Sequence, residues 1–204
     1  MGDCYSIDQP FGLILAGGQA RRMGGATKAL LSLGHGTVLN EIVARLEPQV
    51  QKLALNGDPQ QFRDITLPVV PDIVPRLGPL SGIHAGLVWL AEHGGQWLVT
   101  VAGDTPFLPN DLVPCLLDAA VGASTPAAIA TDQLGAHPTC AIWHVSLSKA
   151  IEQALDRHEL KLMDLAHRVG AAEAAFPGAE SFFNINTPED LQQAEAIYAR
   201  ALHS

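Results

Sequence analysis

The stretch Phe11-Gly-Leu-Ile-Leu-Ala-Gly-Gly-Gln-Ala-Arg-Arg-Met-Gly-Gly-Ala-Thr-Lys28 decides how the rest of the chain is read. Its first six residues, Phe11 to Ala16, are an apolar run bounded by glycine, the pattern of a buried strand. Gly17, Gly18, Gly24 and Gly25 follow, and a loop of such residues can bring backbone N–H groups close to a ligand because glycine carries no Cβ. Arg21, Arg22 and Lys28 add positive charge, and no Asp or Glu occurs between Gln9 and Asn40. Glycine backbone beside local cations suits an anion, above all a polyphosphate. The spacing is neither the GxxxxGK[ST] of a P-loop nor the GxGxxG of a dinucleotide-binding turn, so phosphate is held in another way.

The wider composition sets this loop in relief. The 204 residues are 48% hydrophobic and 16% charged, the profile of a well-buried globular chain. A formal net charge of −9 repels nucleic acid and anionic membrane, which argues against either as a partner. Cys4, Cys115 and Cys140 are too few and too scattered for a disulfide framework or a zinc site, so a reducing cytoplasm is expected. The first ten residues are polar and mixed and read as a flexible leader rather than a secretory signal. Met1-Gly-Asp-Cys-Tyr-Ser fits the loose myristoylation pattern, but nothing else in the chain suggests a membrane.

Onward from Lys28, apolar periodicity alternates between strand and helix. Thr37 is placed to cap a helix through Leu39, Ile42, Val43 and Leu46. Strands are expected at Leu53–Asn56, at Leu67–Asp72 (where the prolines point to a sheet edge or to a strand of only two or three residues), at Trp97–Ala102, at Ala127–Thr131 and at Ser181–Asn186, with another apolar run at Pro138–His144. Helices are expected over Ile83–His93, Leu112–Ala120, Leu147–Arg157 and Lys161–Val169, and from Thr187, with Pro188 and Asp190 in its first turn. Gly82, Ala85 and Gly86 would let the helix at Ile83–His93 press close to the sheet. This alternation predicts an α/β fold, a Rossmann-like, doubly wound and mostly parallel sheet flanked by helices, with residues 11–204 as one domain.

In such a sheet ligands lie beyond the carboxyl ends of the strands, where the Gly17 loop, Asn56, Asp72, Asp104, Asn184 and Asn186 all fall. Asp104 ends the apolar run Trp97–Gly103, and a rigid carboxylate there suits Mg²⁺, which takes few protein carboxylates and fills its shell with water and phosphate. A helix or turn cap is the alternative role for Asp104. Asp72 and Asn56 read equally well as turn residues or as ligand contacts, and His137 as a turn residue. No HExxH, GxSxG or Cys/His nucleophile pair is present, so covalent hydrolysis is disfavoured.

Taken together these motifs resemble a known family. Leu15-Ala-Gly-Gly-x-x-x-Arg22-Met-Gly-Gly-x-x-Lys28 resembles the signature loop of small nucleotidyltransferases that activate sugars, isoprenoid precursors and molybdopterin. Gly78-Pro79-Leu80-Ser81-Gly82, Gly103-Asp104-Thr105-Pro106, His137-Pro138-Thr139 and Asn184-Ile185-Asn186-Thr187-Pro188-Glu189 extend the similarity, from about Phe11 to Ala199, to the molybdenum cofactor guanylyltransferases. The resemblance implies transfer of GMP from GTP to the terminal phosphate of molybdopterin, with Mg²⁺ (or Mn²⁺) as cofactor and acceptor molybdoenzymes and other cofactor-biosynthesis proteins as further partners. It implies nucleotide contacts at Leu15, Ala16, Gly17 and Gly18, a triphosphate clamp at Lys28, nucleoside contacts at Asn56 and Asp72, and a base-reading loop at Gly78, Pro79 and Leu80. Asp104 would hold the metal, Arg22, Lys28 and Asp104 would be catalytic, and Asn184 and Asn186 would line the pterin side. Cytidylyl transfer to the same acceptor, another small nucleotidyl transfer and a non-catalytic pterin carrier are the competing functions. One residue departs from the family pattern: Thr27 stands where an Asp usually precedes the lysine.

Overall fold

In the computed structural model, residues 8–17, 27–75, 77–178 and 180–201 are described. Strand β1 (Phe11–Leu15) lies at the middle of a seven-stranded sheet. Its neighbours are β4 (Lys52–Asn56) on one side and β6 (Trp97–Ala102) on the other, both parallel to it. The two-residue β5 (Val69–Val70) forms one edge beside β4. Beyond β6 come β8 (Gly135–His144), β7 (Ala127–Asp132) and β9 (Ala172–Ala175). A small separate hairpin pairs β2 (Ser32–Leu33) with β3 (Gly36–Thr37).

Alternation along the strands divides the core in two. Phe11 and Leu13 of β1 and Leu98 of β6 face one layer, made of α2 (Pro79–Glu92), α4 (Ser148–Asp156) and α5 (Leu162–Arg168). Ile14, Val99 and Val101 face the other, made of α1 (Val38–Leu46), α3 (Leu112–Gly122) and α6 (Pro188–Ala201). A strand covered on both faces has no solvent side, which is why β1 and β6 read as nearly continuous apolar runs. None of the helices among the described residues is long and apolar enough to cross a membrane.

Local chemistry explains the helix starts. Thr37 and Asn40 form a reciprocal capping box at α1. At α6 the Asp190 carboxylate caps the helix start: Oδ2 accepts from the backbone N–H groups of Asn186 and Thr187 at 2.8 and 2.9 Å, while Asp190 N–H donates to Thr187 Oγ1 at 3.2 Å. Asp111 precedes α3 but makes no side-chain cap bond.

Three details differ from the sequence expectation. Pro138–His144 is part of the longer strand β8, which returns from β7 through a hairpin at Asp132–Gly135 with no intervening helix, and β8 is antiparallel to both neighbours. The turn is stabilised by Asp132 Oδ1, which accepts from Leu134 N–H at 2.7 Å and Gly135 N–H at 3.1 Å, with Gly135 at φ 129°. Residues 181–186 are irregular, not a strand; their backbone is tied to the Asp104 turn, with Ile185 N–H donating to Asp104 O at 2.9 Å. The seventh strand is instead β9, whose Ala-Glu-Ala-Ala sequence carries no strand propensity and pairs because β7 offers it an edge.

Candidate active site

The carboxyl ends of β1, β4 and β6 lie level: Leu15 pairs with both Asn56 and Ala102. Past that line the strands are stitched by backbone bonds, Ala16 N–H to Asn56 O and Gly103 N–H to Leu15 O, both 2.9 Å. Gly103 suits this approach, since a Cβ there would sit 3.1 Å from the Ala16 Cα and from the Leu15 carbonyl oxygen, tighter than ordinary van der Waals contact. A cleft of about 830 Å³ opens above this floor, a size typical of small-molecule sites.

One wall is polar and rigid. Asn56 is 3% exposed, and its amide donates to Val70 O at 3.1 Å and to Asp72 Oδ1 at 2.9 Å. Helix α2 presses against it: a Cβ on Gly82 would lie 2.3 Å from Asn56 Oδ1. Gly86, one turn on, meets Leu13 and Leu98 in the same way, so the small residues of α2 do bring that helix onto the sheet. The helix opens at the cleft edge with Gly78 at φ 72° and Pro79 in its first turn, without a side-chain cap and without a first-turn acid. Its amino end therefore offers the positive end of a fourteen-residue helix to the cleft.

The opposite wall carries charge. Lys28, at the start of a single 3-10 turn (Lys28–Leu30), places Nζ 2.8 Å from Asp104 Oδ2, with the two side chains 18% and 22% exposed. The same ammonium donates to Asn186 Oδ1 at 2.5 Å. Thr105 Oγ1 donates to Asn184 Oδ1 at 2.5 Å. Residues 182–186 are held from behind, with Ile185 fully buried and Phe182 stacked on His137 at 4.5 Å and edge-on to Phe176 at 5.4 Å. His137 Nε2 lies 3.0 Å from Asp132 Oδ1. Burial pushes the Asp132 carboxyl up, but the His137 hydrogen bond and the Leu134 and Gly135 N–H groups outweigh it and hold it below the usual range. The Asp190 carboxyl is also held low, chiefly by the Asn186 N–H.

The structure brings Leu15, Ala16, Gly17, Lys28, Asn56, Asp72, Gly78, Pro79, Asp104 and Asn184 to the lining of one cleft. Asn186 reaches it through Lys28. Leu80 does not line it, because its side chain is fully buried in the core beneath α2. Gly18 and Arg22 lie outside the described residues. Asp104 is not a helix cap, since α3 begins at Leu112. Thr27 points away: its hydroxyl donates to Gln61 Oε1 at 2.8 Å, on the exposed side.

Thr139 was not anticipated as a lining residue. One step along β7, from Ile129 to Ala130, spans four along β8, from Ala141 to His137, so residues 138–140 bulge out beside the cleft. The bulge is tied down by Thr100 Oγ1, which donates to Thr139 O at 3.0 Å while accepting from Trp143 Nε1 at 3.1 Å. The proline in Ala136-His-Pro-Thr139 was the available signal, since proline inside a sheet favours a bulge. Neighbouring Cys140 is fully buried and its thiol is pushed up to about 12 by burial, which removes it as a nucleophile.

No group of three or more His, Cys, Asp or Glu able to cage a metal occurs among the described residues. Asp104 as a single carboxylate ligand fits a divalent ion that draws its other ligands from water and phosphate.

A largely parallel sheet whose strand ends carry a nucleotide-sized cleft, an uncapped helix start and a lysine–carboxylate pair defines a nucleotidyltransferase. The family model for the MobA-like NTP transferase domain matches residues 12–171, and the chain belongs to that family. A protein of Cereibacter sphaeroides named molybdenum cofactor guanylyltransferase is 47% identical over 189 residues, covering 92% of this chain and 96% of its own length. A protein of the same name from Mesorhizobium japonicum is 45% identical, covering 91% and 94%. The crystal structure of molybdopterin-guanine dinucleotide biosynthesis protein A from Archaeoglobus fulgidus superposes with a TM-score of 0.75 at 24% identity, over 93% of this chain and 99% of that one, and shows the same fold.

Proposed function

We propose that this chain transfers GMP from GTP to the terminal phosphate of molybdopterin in its molybdenum-loaded form, producing the guanine dinucleotide cofactor and pyrophosphate. Identity near 47% to a relative of that name across almost the whole chain supports the acceptor and the base. The observation that carries the chemistry is the Lys28–Asp104 pair standing over a cleft floored by backbone and walled by Asn56 and Asp72.

In the reaction a terminal phosphate oxygen of the pterin attacks the α-phosphorus of GTP, a P–O bond forms there, and the bond to the β-phosphate oxygen breaks to release pyrophosphate. The attacking phosphate is anionic at neutral pH, so no general base is needed, in keeping with a cleft whose described lining residues include no His, Ser or Cys. What remains is alignment and charge neutralisation. Leu15, Ala16 and Gly17, with Gly18, hold the nucleotide through backbone. Asn56 and Asp72 contact the nucleoside, and the Gly78–Pro79 turn faces the base. Lys28 clamps the triphosphate, and Arg22 adds charge from the glycine loop. Asn184 and Asn186 serve the pterin side. Asp104 would hold Mg²⁺, or Mn²⁺ in its place, which when bound supplies charge stabilisation to the phosphates.

Residues 11–204 act as one domain in the cytoplasm, passing product to acceptor molybdoenzymes. The test is product analysis with molybdenum-loaded molybdopterin and each of GTP, CTP, UTP and ATP. The guanine dinucleotide is expected as the dominant product; preferential formation of the cytosine dinucleotide, or of none, would overturn the assignment.

A further inference from the structure

Lys28 is read above as a triphosphate clamp, yet its ammonium already has two oxygen partners within its own chain. Nζ lies 2.8 Å from Asp104 Oδ2 and 2.5 Å from Asn186 Oδ1. Asp104 is mostly buried, and Asn186, although exposed, is anchored through its backbone. Asp104 is held through its carbonyl by Ile185 N–H at 2.9 Å, in a turn whose Gly103 is bonded to Leu15. Asn186 is fixed by its own N–H on Asp190 Oδ2 at 2.8 Å. The lysine backbone is set by its 3-10 turn, with Leu31 N–H on Lys28 O at 3.1 Å. The ammonium thus rests in a built cradle of one carboxylate and one amide oxygen, on a lysine side chain that is 18% exposed.

We propose that Lys28 is the resident cation of Asp104, held there by Asn186, and that a divalent metal gains Asp104 only together with a nucleotide whose phosphates draw the lysine away. The inference rests on Asp104 being the metal ligand. A metal ion binds a carboxylate oxygen at about 2.0–2.1 Å for Mg²⁺, and with the ammonium already on Oδ2 two cations would share the single negative charge of one carboxylate and repel each other across it. The triphosphate resolves the conflict. It gives Lys28 anionic partners in exchange for Asp104 and brings phosphate oxygens to complete the metal shell. Metal and nucleotide therefore bind with mutual positive coupling, each raising the affinity of the other by the same factor. Asn186 is a positioning residue in this scheme, since it acts through Lys28.

Mn²⁺ alone is the probe, its free concentration read by electron paramagnetic resonance during titration of the full chain without nucleotide. Lys28→Met keeps the length of the side chain and removes its charge, and is expected to tighten Mn²⁺ binding about tenfold or more. Asn186→Ala leaves both charges in place and is expected to tighten it to a lesser degree, which keeps the test available if Lys28→Met folds poorly. Adding Asp104→Asn to either variant is expected to erase the gain. Equal Mn²⁺ affinity in wild type, Lys28→Met and Asn186→Ala would overturn the proposal; if Asp104→Asn still lowers Mn²⁺ retention in the presence of GTP, the metal reading survives that result. GTP-supported retention indifferent to Asp104→Asn would overturn both.

Discussion

Replacing Gly82 by alanine tests the cleft wall without touching any charged group. The new Cβ would lie 2.3 Å from Asn56 Oδ1, 2.8 Å from its Cγ and 3.0 Å from Leu15 Cδ2. Asn56 has no free direction in which to yield, because its amide is bonded to Val70 O and to Asp72 Oδ1 and the residue is 3% exposed. Overpacking of this kind costs about 1–3 kcal/mol. Losing one or both amide bonds costs about 1 kcal/mol each. Alanine regains about 1 kcal/mol of helix propensity over glycine. The net is a loss of about 1–4 kcal/mol, which for a chain of this size lowers Tm by roughly 2–16 °C. Gly86→Ala is the control. Its Cβ would meet the methyl ends of Leu13 and Leu98 at 2.5 and 2.8 Å, an apolar clash with no polar partner to lose. Both variants are measured by thermal unfolding and by GTP titration calorimetry. Gly82→Ala is expected to weaken GTP binding about tenfold, whereas Gly86→Ala loses stability alone. Wild-type GTP affinity in folded Gly82→Ala would refute the reasoning that Asn56 and Asp72 form a fixed nucleoside wall.

Other residues give shorter tests. Thr27→Ala is expected to leave turnover within about twofold of wild type, because its hydroxyl serves Gln61 rather than the cleft and an exposed hydrogen bond contributes little; steady-state kinetics checks this. The Asp132 carboxyl is held below its ordinary range, so its contribution to stability is fully present above the unfolded value, near pH 4, and is lost as pH falls through the lower folded value. Asp132→Asn should therefore lower stability at pH 7 and flatten the stability profile below about pH 4, as read by urea unfolding across that range. Cys140, with its thiol pushed up to about 12, should resist iodoacetamide at pH 8 in the native protein and react only after unfolding, as followed by peptide mass mapping.

The sheet was legible where burial imposed a pattern. β1 and β6 are covered on both faces and so read as apolar runs, and Trp97–Ala102 is observed with the bounds expected of it. Helix starts were legible where a side chain performs the capping, as at Thr37 and at Thr187 with Asp190. The far side of the sheet was harder. β9 is strand only because β7 pairs with it, and residues 181–186 look like a strand in composition but spend Phe182 and Ile185 on packing and their backbone on the Asp104 turn. Most of the site was legible because polar residues at strand ends stand out against apolar runs. The Lys28–Asp104–Asn186 contacts were not, since they join residues 76 and 158 positions apart in sequence. The bulge that exposes Thr139 is likewise a property of pairing register, which no local pattern encodes.

The most direct test of nucleotidyl transfer uses GTP labelled at the α-phosphate with molybdenum-loaded molybdopterin, comparing wild type and Asp104→Asn. Wild type should move the label into the guanine dinucleotide and release one pyrophosphate for each product formed. Asp104→Asn should retain its fold by circular dichroism yet lose turnover by about a thousandfold or more. Label that stays in nucleotide with the wild-type chain, or equal transfer by Asp104→Asn, would contradict the account.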